Sequence, residues 1–334
     1  MAAPTRAPTG SKSSPDAPEG MTAGKIVLVM ARWAACFPLI EVGIARAPHL
    51  TFATLRAVLA GVVLLALATF HQRARPVGSQ HWLLLVVAGL GGTTAGFLGM
   101  FHAAEFISPG LATVIANTQP LLASAMAYVL LGEIGRTAAS GLTVGFAGIA
   151  IIATPGLTDP GTDDYLLGVA YGLLAALGIT VGNVALKRLA GEVDALVAAG
   201  TQLLIGAVPL AALALLTEDP TTVKWSPAFV ASLAGLALPG TALVYWMWIS
   251  VLETIPLTKA NGFSFLVPTF GLTIGIGFYD EPLTFAVATG SATVLAGVAM
   301  VHRGDAAIGP SGIAGGDTVL WSPDSSPPTT RVAP

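Results

Sequence analysis

The chain has 334 residues, of which 54% are hydrophobic and only 10% are charged. Because soluble domains carry roughly 25% charged residues, this composition excludes an ordinary water-soluble protein and predicts one that is embedded in lipid. The net charge of −3 gives no basic surface for a nucleic-acid partner, and the single cysteine, Cys36, excludes an internal disulfide.

The two ends of the chain differ from its middle. Residues 1–20 contain mainly small and polar residues with several prolines, and residues 303–334 have a similar composition. Such segments have too little apolar surface to form a packed core. We predict disordered tails at 1–23 and 304–334. We also expect that no signal peptide is removed, because no short apolar segment precedes a typical cleavage site.

Apolar stretches of about 20 residues alternate with short polar breaks between the tails. At 1.5 Å per residue, a helix of this length crosses a hydrocarbon core of roughly 30 Å. The runs are about twice as long as barrel strands and do not alternate in polarity. We therefore predict an all-α integral membrane protein with ten transmembrane helices. The predicted spans are 26–45, 50–70, 82–101, 110–131, 137–154, 165–186, 195–216, 228–251, 260–279 and 282–302.

The breaks between the spans differ in their content of Lys and Arg, which are retained on the cytoplasmic side of a membrane. If the N-terminus is cytoplasmic, the inside positions are Lys25, Arg73, Arg75, Arg136, Lys187, Arg188, Lys259 and Arg303, and the outside positions are Arg46 and Lys224. This bias predicts a multi-pass protein of the cell inner (plasma) membrane, with its N- and C-termini in the cytoplasm.

An internal repeat relates the two halves of the chain. The aligned pairs, all 148 residues apart, are Glu105 with Glu253, Ile107 with Ile255, Ala112 with Ala260, Pro120 with Pro268 and Glu133 with Glu281. With an offset that is one residue larger, Gly141 aligns with Gly290 and Gly148 aligns with Gly297. We predict a five-helix repeat at 24–155 and a second at 164–303. Because five is odd, the second copy enters the membrane inverted, an arrangement typical of secondary transporters.

The first two predicted helices contain motifs of a known family. Trp33 to Ile40, followed by Pro48 to Arg56, resembles the first helix pair of EamA-like members of the drug/metabolite transporter superfamily. The stretches ending at Gln119-Pro120 and at Leu131-Gly132-Glu133 are similar to the family's fourth helix. The resemblance covers residues 24–302. It implies ten helices, cytoplasmic termini, and export or exchange of amino acids, metabolites or drugs.

Several positions depart from the family's pattern. Ala34-Ala35-Cys36 stands where relatives often have Gly-Ser-Asn after the tryptophan. Glu41, Glu105 and Glu253 stand where relatives often have a basic or neutral residue. These departures bear on the class of substrate.

Ionisable side chains inside a bilayer cost roughly 2.5–3.5 kcal/mol each at mid-depth, so each one requires an explanation. Three fall within predicted spans: Arg32, Glu41 and Arg56. Arg32 is close enough to the cytoplasmic end for its charge to reach the interface. Glu41 and Arg56 lie at similar depths on consecutive helices, so we hypothesise that they form an ion pair at an outer gate. The alternative is a static pair that orients the two helices.

Polar and aromatic residues at similar depths predict a central substrate cavity. Its expected lining is Trp33, Arg56, Asn117, Gln119, Gln202, Tyr245 and Trp248. For each residue, a hydrogen bond between helices or anchoring at the lipid interface is the alternative. Pro120 and Pro268 cannot donate the helical hydrogen bond, so we predict that both kink their helices.

The remaining motifs exclude several kinds of chemistry. The glycines between Gly89 and Gly99 lie inside an apolar span without a preceding strand, which favours a close-packing helix face over a nucleotide loop. The sequence has no P-loop and no HxxH spacing. An intramembrane enzyme would need a cluster of reactive groups at matched depth, and the sequence suggests none. We predict no catalytic residue, metal or cofactor.

These observations together predict a secondary active transporter that exports small metabolites, such as amino acids or drug-like compounds, by alternating access. Its expected partners are the lipid bilayer, a small-molecule substrate, and either a coupling proton, carried through Glu41, or a counter-solute. The alternative is a non-transporting membrane scaffold or assembly factor, whose stability would not respond to small solutes.

Overall fold

The protein is all-α in the part of the chain that its computed structural model describes, which is residues 19–307 without 75, 77, 120, 123–124, 127–135, 159–162, 256–259, 261–262, 264–265 and 280–283. The first helices are α1 (Glu19–Ala34), α2 (Cys36–Ile44), α3 (His49–Phe70), α4 (Ser79–Ala88), α5 (Gly96–Phe106) and α6 (Pro109–Ala116). The next are α7 (Arg136–Thr158), α8 (Asp163–Leu189), α9 (Ala195–Thr217), α10 (Pro227–Ala237), α11 (Leu243–Thr254), α12 (Leu266–Tyr279) and α13 (Phe285–Ala307).

Six helical segments of the described chain are long and apolar enough to cross a membrane. They are Gly24–Ile44, His49–Phe70, Ser79–Phe106, Asp164–Leu189, Ala195–Thr217 and Pro227–Thr254. Between 44% and 56% of each segment's most apolar stretch is buried. Large apolar side chains such as Val62, Val208 and Leu216 are exposed on the outer faces. An apolar surface of this kind is stable in contact with lipid and not with water.

The six segments confirm six of the predicted spans, with ends that differ by a few residues. The spans predicted at 137–154, 260–279 and 282–302 contain the shorter apolar helices Ala139–Ile152, Thr269–Phe278 and Phe285–Met300. The fourth span, 110–131, begins with α6, and most of its second half lies outside the described residues, as does Pro120. These four spans stay predictions as membrane crossings. Helices α1 and α13 extend a few residues into the predicted tails, whose remaining residues are not described.

Direct contacts define which helix ends meet. At one end, the backbone N–H of Lys224 donates to the carbonyl of Arg46 at 2.8 Å, and Glu218 accepts from the backbone N–H of Leu50 at 2.8 Å. We call this the His49 end. At the opposite end, Arg73 forms an ion pair with Asp194 at 3.6 Å. Consecutive long helices therefore run in alternating directions through the bundle.

Two long helices contain π-helical segments that overlap in relative position. Gly89–Ala95 joins α4 to α5, and Leu238–Ala242 joins α10 to α11. In the second segment, Pro239 has no N–H to donate to the preceding turn, and the wider helical turn accommodates this loss. Such segments change the direction in which the following side chains point and are frequent at functional sites.

Glycine faces bring pairs of helices into close contact. A Cβ on Gly148 would lie 2.6 Å from the backbone nitrogen of Val294 and 2.8 Å from the carbonyl oxygen of Gly290, so α7 and α13 meet through their backbones. A Cβ on Gly91 would lie 2.8 Å from the carbonyl oxygen of Gly178 on α8. The interpretation of the glycine-rich stretch at 89–99 as a packing face is thus confirmed.

Candidate functional site

Arg56 is the largest charged side chain buried in the described bundle, with 1% of its surface exposed. Its Nε donates to Thr241 Oγ1 at 2.8 Å, and its two terminal nitrogens lie 3.6 Å from Met100 Sδ and from Cys36 Sγ. The guanidinium carbon lies 4.3 Å from the centre of the Phe97 ring, a favourable cation–π geometry. The partners described for this buried cation are therefore neutral groups.

Gln202 is the second deeply buried polar residue of the predicted cavity, with none of its surface exposed. Thr93 Oγ1 donates to Gln202 Oε1 at 3.5 Å. The Gln202 Nε2 atom is buried and makes no hydrogen bond of good geometry among the described residues, although the Tyr245 hydroxyl lies near it. A buried amide donor that is poorly satisfied is costly, which makes this position a candidate for binding a polar solute group.

These two contacts occupy equivalent positions in the two halves of the chain. Arg56 and Gln202 each lie seven residues after the first residue of their helices, α3 and α9. Thr93 and Thr241 each lie fourteen residues after the first residue of Ser79–Phe106 and Pro227–Thr254, and each is in a π-helical segment. The pairing is crosswise, because each threonine contacts the polar residue of the other half.

A third group of polar contacts joins three of the predicted cavity residues. Trp248 Nε1 donates to Asn183 Oδ1 at 3.1 Å, and Asn183 Nδ2 donates to Gln119 Oε1 at 3.1 Å. The ring of Trp33 packs edge-on against that of Trp248, with 5.1 Å between centroids. This chain of contacts links α1, α8, α11 and the segment that follows α6.

Tyr245 connects the two groups of residues. It lies on α11 one turn before Trp248, so both side chains are on the same face of that helix. Its hydroxyl lies within hydrogen-bonding reach of the Gln202 side chain, and it is close enough to Arg56 and Cys36 to interact with them electrostatically. The candidate site is therefore a continuous buried strip that runs from Arg56 and Gln202 through Tyr245 to Trp248.

The other predicted site residues lie apart from this strip or are not described. Asn117 donates to the Thr113 carbonyl of its own turn at 2.8 Å. The hypothesised ion pair of Glu41 with Arg56 stays a prediction. Pro268 is the third residue of α12, and Pro120 lies outside the described residues, so the two kinks also stay predictions.

Four residues of the site are absent from the predicted lining: Cys36, Thr93, Asn183 and Thr241. A signal for the threonines was present in the sequence, because Gly92-Thr93 and Gly240-Thr241 repeat with the same 148-residue offset as the other aligned pairs. The described residues contain no group of three His, Cys, Asp or Glu side chains that could hold a metal ion. Polar and aromatic groups of this kind bind a small solute through hydrogen bonds and apolar contact.

The chain is similar to known transporters over most of its length. The sequence model described as the EamA-like transporter family matches residues 21–154 and again residues 166–303. The uncharacterized transporter YvbV of Bacillus subtilis is 26% identical over 85% of this chain and 92% of its own. A chloroplastic WAT1-related protein of Arabidopsis thaliana is 29% identical over 75% of this chain, which spans 62% of that relative's length.

The chain is also similar to a further curated protein and to a solved structure. Protein PecM of Dickeya dadantii is 27% identical over 75% of this chain and 82% of its own. One solved crystal structure has a TM-score of 0.58 and 20% sequence identity, and the match covers 84% of this chain and 94% of that one. At this identity, the likeness to the crystal structure concerns the fold alone.

Proposed function

Because the chain belongs to the EamA-like transporter family, we propose that it is a secondary active transporter that exports small metabolites bearing a carboxylate, such as amino acids, by alternating access. It lies in the plasma membrane as ten helices, arranged as two inverted five-helix repeats at 24–155 and 164–303. Both tails, 1–23 and 304–334, are cytoplasmic. It has no catalytic activity of its own.

The directions of the helices support the inverted repeat. The segment Gly24–Ile44 runs toward the His49 end, whereas its counterpart Asp164–Leu189 starts there and runs away from it. The third segments of both halves, Ser79–Phe106 and Pro227–Thr254, begin 148 residues apart and end 148 residues apart. Two copies of one fold in opposite orientations supply two alternative gates around a central site.

The crossing of α7 and α13 supports the same symmetry. Gly141 aligns with Gly290 and Gly148 with Gly297 in the repeat. A Cβ on Gly148 would lie 2.8 Å from the carbonyl oxygen of Gly290, and one on Gly297 would lie 2.8 Å from that of Gly141. Gly148 thus meets the counterpart of Gly141, and Gly141 meets the counterpart of Gly148. This exchange is expected across a pseudo-two-fold axis.

The distribution of cations supports the orientation. Arg46 and Lys224 lie at the His49 end, whereas Arg73, Lys187 and Arg188 lie near the opposite end. The end that is richer in Lys and Arg is cytoplasmic in polytopic membrane proteins. The His49 end then faces outward.

The observation that carries the proposed substrate class is the buried guanidinium of Arg56, whose described partners are all neutral. A buried cation gains most from an anion that forms charge-assisted hydrogen bonds with it. A carboxylate at Arg56 would leave the rest of an amino acid beside Tyr245 and Trp248. The Gln202 amide, which makes no hydrogen bond of good geometry among the described residues, adds a second hydrogen-bond donor at the equivalent position of the other half.

A thermal-shift screen of the purified protein tests this proposal. Amino acids, nucleosides and cationic drugs are each added, since a compound that binds only the folded state raises its melting temperature. We expect amino acids to raise it in the wild type and not in Arg56→Ala. A scaffold or assembly factor would respond to none of the compounds, and a response confined to cationic drugs would contradict the role of Arg56.

The gate formed by Glu41 and Arg56 has a separate test. Arg56→Ala should abolish transport, and the double reversal Glu41→Arg with Arg56→Glu should restore part of it if the two charges form an ion pair. Unimpaired transport by the single variant would exclude both the gate and the binding role of Arg56.

A further inference from the structure

Four titratable side chains meet at the His49 end, outside the strip that contains Arg56. His49 is the first residue of α3, and His102 and Glu105 lie in the last turns of α5. Glu218 is the residue that follows α9. We call these four residues the histidine cluster. It joins the ends of three helices that are far apart in the sequence.

The contacts within the histidine cluster are short and specific. His49 Nδ1 lies 2.6 Å from Glu105 Oε1, and His49 Nε2 lies 2.9 Å from His102 Nε2. His102 Nδ1 lies 2.8 Å from the carbonyl oxygen of Leu98. Glu218 Oε1 lies 3.5 Å from His49 Nε2. The imidazole of His102 also stacks on the ring of Tyr171, with 4.4 Å between centroids.

A count of the hydrogens in these contacts gives the protonation state. The Leu98 carbonyl only accepts, so His102 Nδ1 carries a hydrogen, and a neutral His102 then accepts at Nε2. His49 Nε2 must therefore donate to His102. The contact between His49 Nδ1 and Glu105 needs a third hydrogen, on either atom. Two neutral imidazoles supply only two hydrogens, so all three contacts are hydrogen bonds at once only when the histidine cluster holds one additional proton.

We propose that the histidine cluster binds one exchangeable proton, and that release of this proton opens the His49 end of the bundle toward Arg56. Resting on the proposed function, this makes opening of the outward side of the transporter dependent on the proton bound there. Histidine is suited to this role because its charge changes between about pH 5 and pH 8.

The proton can exchange with water through Glu105. The Glu105 side chain is 33% exposed, whereas those of His49 and Glu218 are 19% and 9% exposed. The proton leaves the contact between His49 Nδ1 and Glu105 and passes to water, and no other atom is transferred. The Nδ1 lone pair of a neutral His49 then faces the Glu105 carboxylate. Because two acceptors repel, this contact between α3 and α5 is lost.

The same helices carry the candidate site, so a change in the histidine cluster reaches Arg56 directly. His49 and Arg56 are two turns apart on one face of α3. Met100, a contact of Arg56, is on α5 with His102. Glu218 holds the beginning of α3, because its carboxylate accepts from Leu50 N at 2.8 Å.

The elements around the histidine cluster carry further charged or titratable groups toward this end of the bundle. They are Glu41 on α2, Arg46 before α3, Asp164 and Tyr171 on α8, and Asp219 and Lys224 after α9. Arg46 donates to the Val42 carbonyl at 2.6 Å. Asp219 accepts from Thr221, and these hydrogen bonds lower the pKa of the Asp219 carboxyl. Both side chains are therefore engaged in contacts of their own.

The only cysteine of the chain provides the assay. Cys36 is buried against Arg56, so its rate of reaction with N-ethylmaleimide reports opening of the site. The full-length protein in liposomes is labelled at pH 5.5 and pH 8.5. Thiolate formation accelerates labelling of every variant alike, so each rate is divided by the wild-type rate at the same pH.

We expect His49→Leu, which can neither hold the additional proton nor donate to Glu105, to label about tenfold faster than the wild type at pH 5.5, the change expected for loss of one charge-assisted hydrogen bond. The two rates should converge at pH 8.5. Glu105→Leu should give the same pattern, which guards against misfolding of the first variant. The control is His71→Leu, since His71 is exposed and follows the other end of α3.

Ratios for His49→Leu and Glu105→Leu that equal the His71→Leu ratio at both pH values would overturn the proposal. The assay uses only protons and N-ethylmaleimide, so it is independent of any transported solute. If the labelling pattern holds and no amino acid moves, the proposed function fails while the proton site stands. If amino acids move without the labelling pattern, the proposed function stands and the proton site fails.

Discussion

Thr241→Val removes the hydroxyl that accepts from the most deeply buried charge in the described bundle. Thr241 Oγ1 accepts from Arg56 Nε at 2.8 Å and donates to the Leu236 carbonyl at 2.7 Å. Valine has nearly the same shape as threonine, so the packing is preserved and both partners lose a hydrogen bond. The guanidinium remains buried and charged, because arginine does not deprotonate in proteins.

The expected loss of stability follows from this geometry. A hydrogen bond to a charged group contributes about 1.5–3 kcal/mol. With an unfolding entropy of about 2.1 cal/mol/K per residue, a change of about 2 kcal/mol lowers the melting temperature of this 334-residue chain by roughly 3 °C. We expect a decrease of this size for Thr241→Val, measured by thermal unfolding of the purified protein in lipid nanodiscs. Thr241→Ser keeps the hydroxyl and should lose less than half as much.

The equivalent threonine of the other half is the matched control. Thr93 contacts a neutral amide at 3.5 Å, the outer limit of a hydrogen bond. Thr93→Val should therefore cost less than about 1 kcal/mol, the usual contribution of a neutral hydrogen bond. Equal losses for the two valine variants, or equal losses for Thr241→Ser and Thr241→Val, would refute the account of Arg56.

Three further predictions concern stability and are tested by the same unfolding measurement. Gly148→Ala places a methyl group against backbone atoms of α13 and should be about 1–3 kcal/mol less stable than Gly277→Ala, whose new methyl group meets nothing within 4 Å; equal effects would contradict the close packing. Lys187→Met removes an ammonium that donates to two carbonyls at the end of α11 and should cost about 2 kcal/mol, whereas Arg188→Met serves as its neighbour control. Arg73→Ala breaks an ion pair with a half-exposed arginine and should change stability by less than about 1 kcal/mol; a larger loss would show that this pair holds together the helix ends opposite the His49 end.

The sequence predicted the membrane class and the helical segments well, because lipid imposes a length and a composition on each span. The spans predicted at 50–70 and 195–216 differ by only one residue at an end from α3 and α9. The segments Ser79–Phe106 and Pro227–Thr254 begin and end 148 residues apart, which is the offset of the predicted repeat. Predicted ends were less accurate where a helix continues past the apolar run, as in α8.

The candidate site was predicted in part. Arg56, Gln202, Tyr245 and Trp248 were recognised because polar and aromatic groups inside a span need an explanation. Sequence spacing alone did not indicate that Arg56 would pair with Thr241, because that contact depends on a π-helical segment that redirects the threonine. Hydropathy patterns do not distinguish a π-helical turn from an α-helical one.

The histidine cluster was missed for a different reason. His49, His102 and Glu218 are 53 and 116 residues apart in the chain, and none of them belongs to a metal or catalytic spacing motif. They meet because three helices end at the same side of the bundle. Scattered histidines at helix ends are thus more informative in a membrane protein once the alternation of helix directions is taken into account.

Movement of amino acids across a sealed membrane tests the central claim most directly. Proteoliposomes are loaded with all twenty amino acids, and the external solution is sampled by mass spectrometry. The account predicts that the wild-type protein releases a subset of them, and that Arg56→Ala and Gln202→Leu, one from each half, both stop the release. Trp82→Phe, a substitution of an exposed tryptophan on α4, should have no effect. Undiminished release by either site variant, or no release by the wild type, would contradict the account.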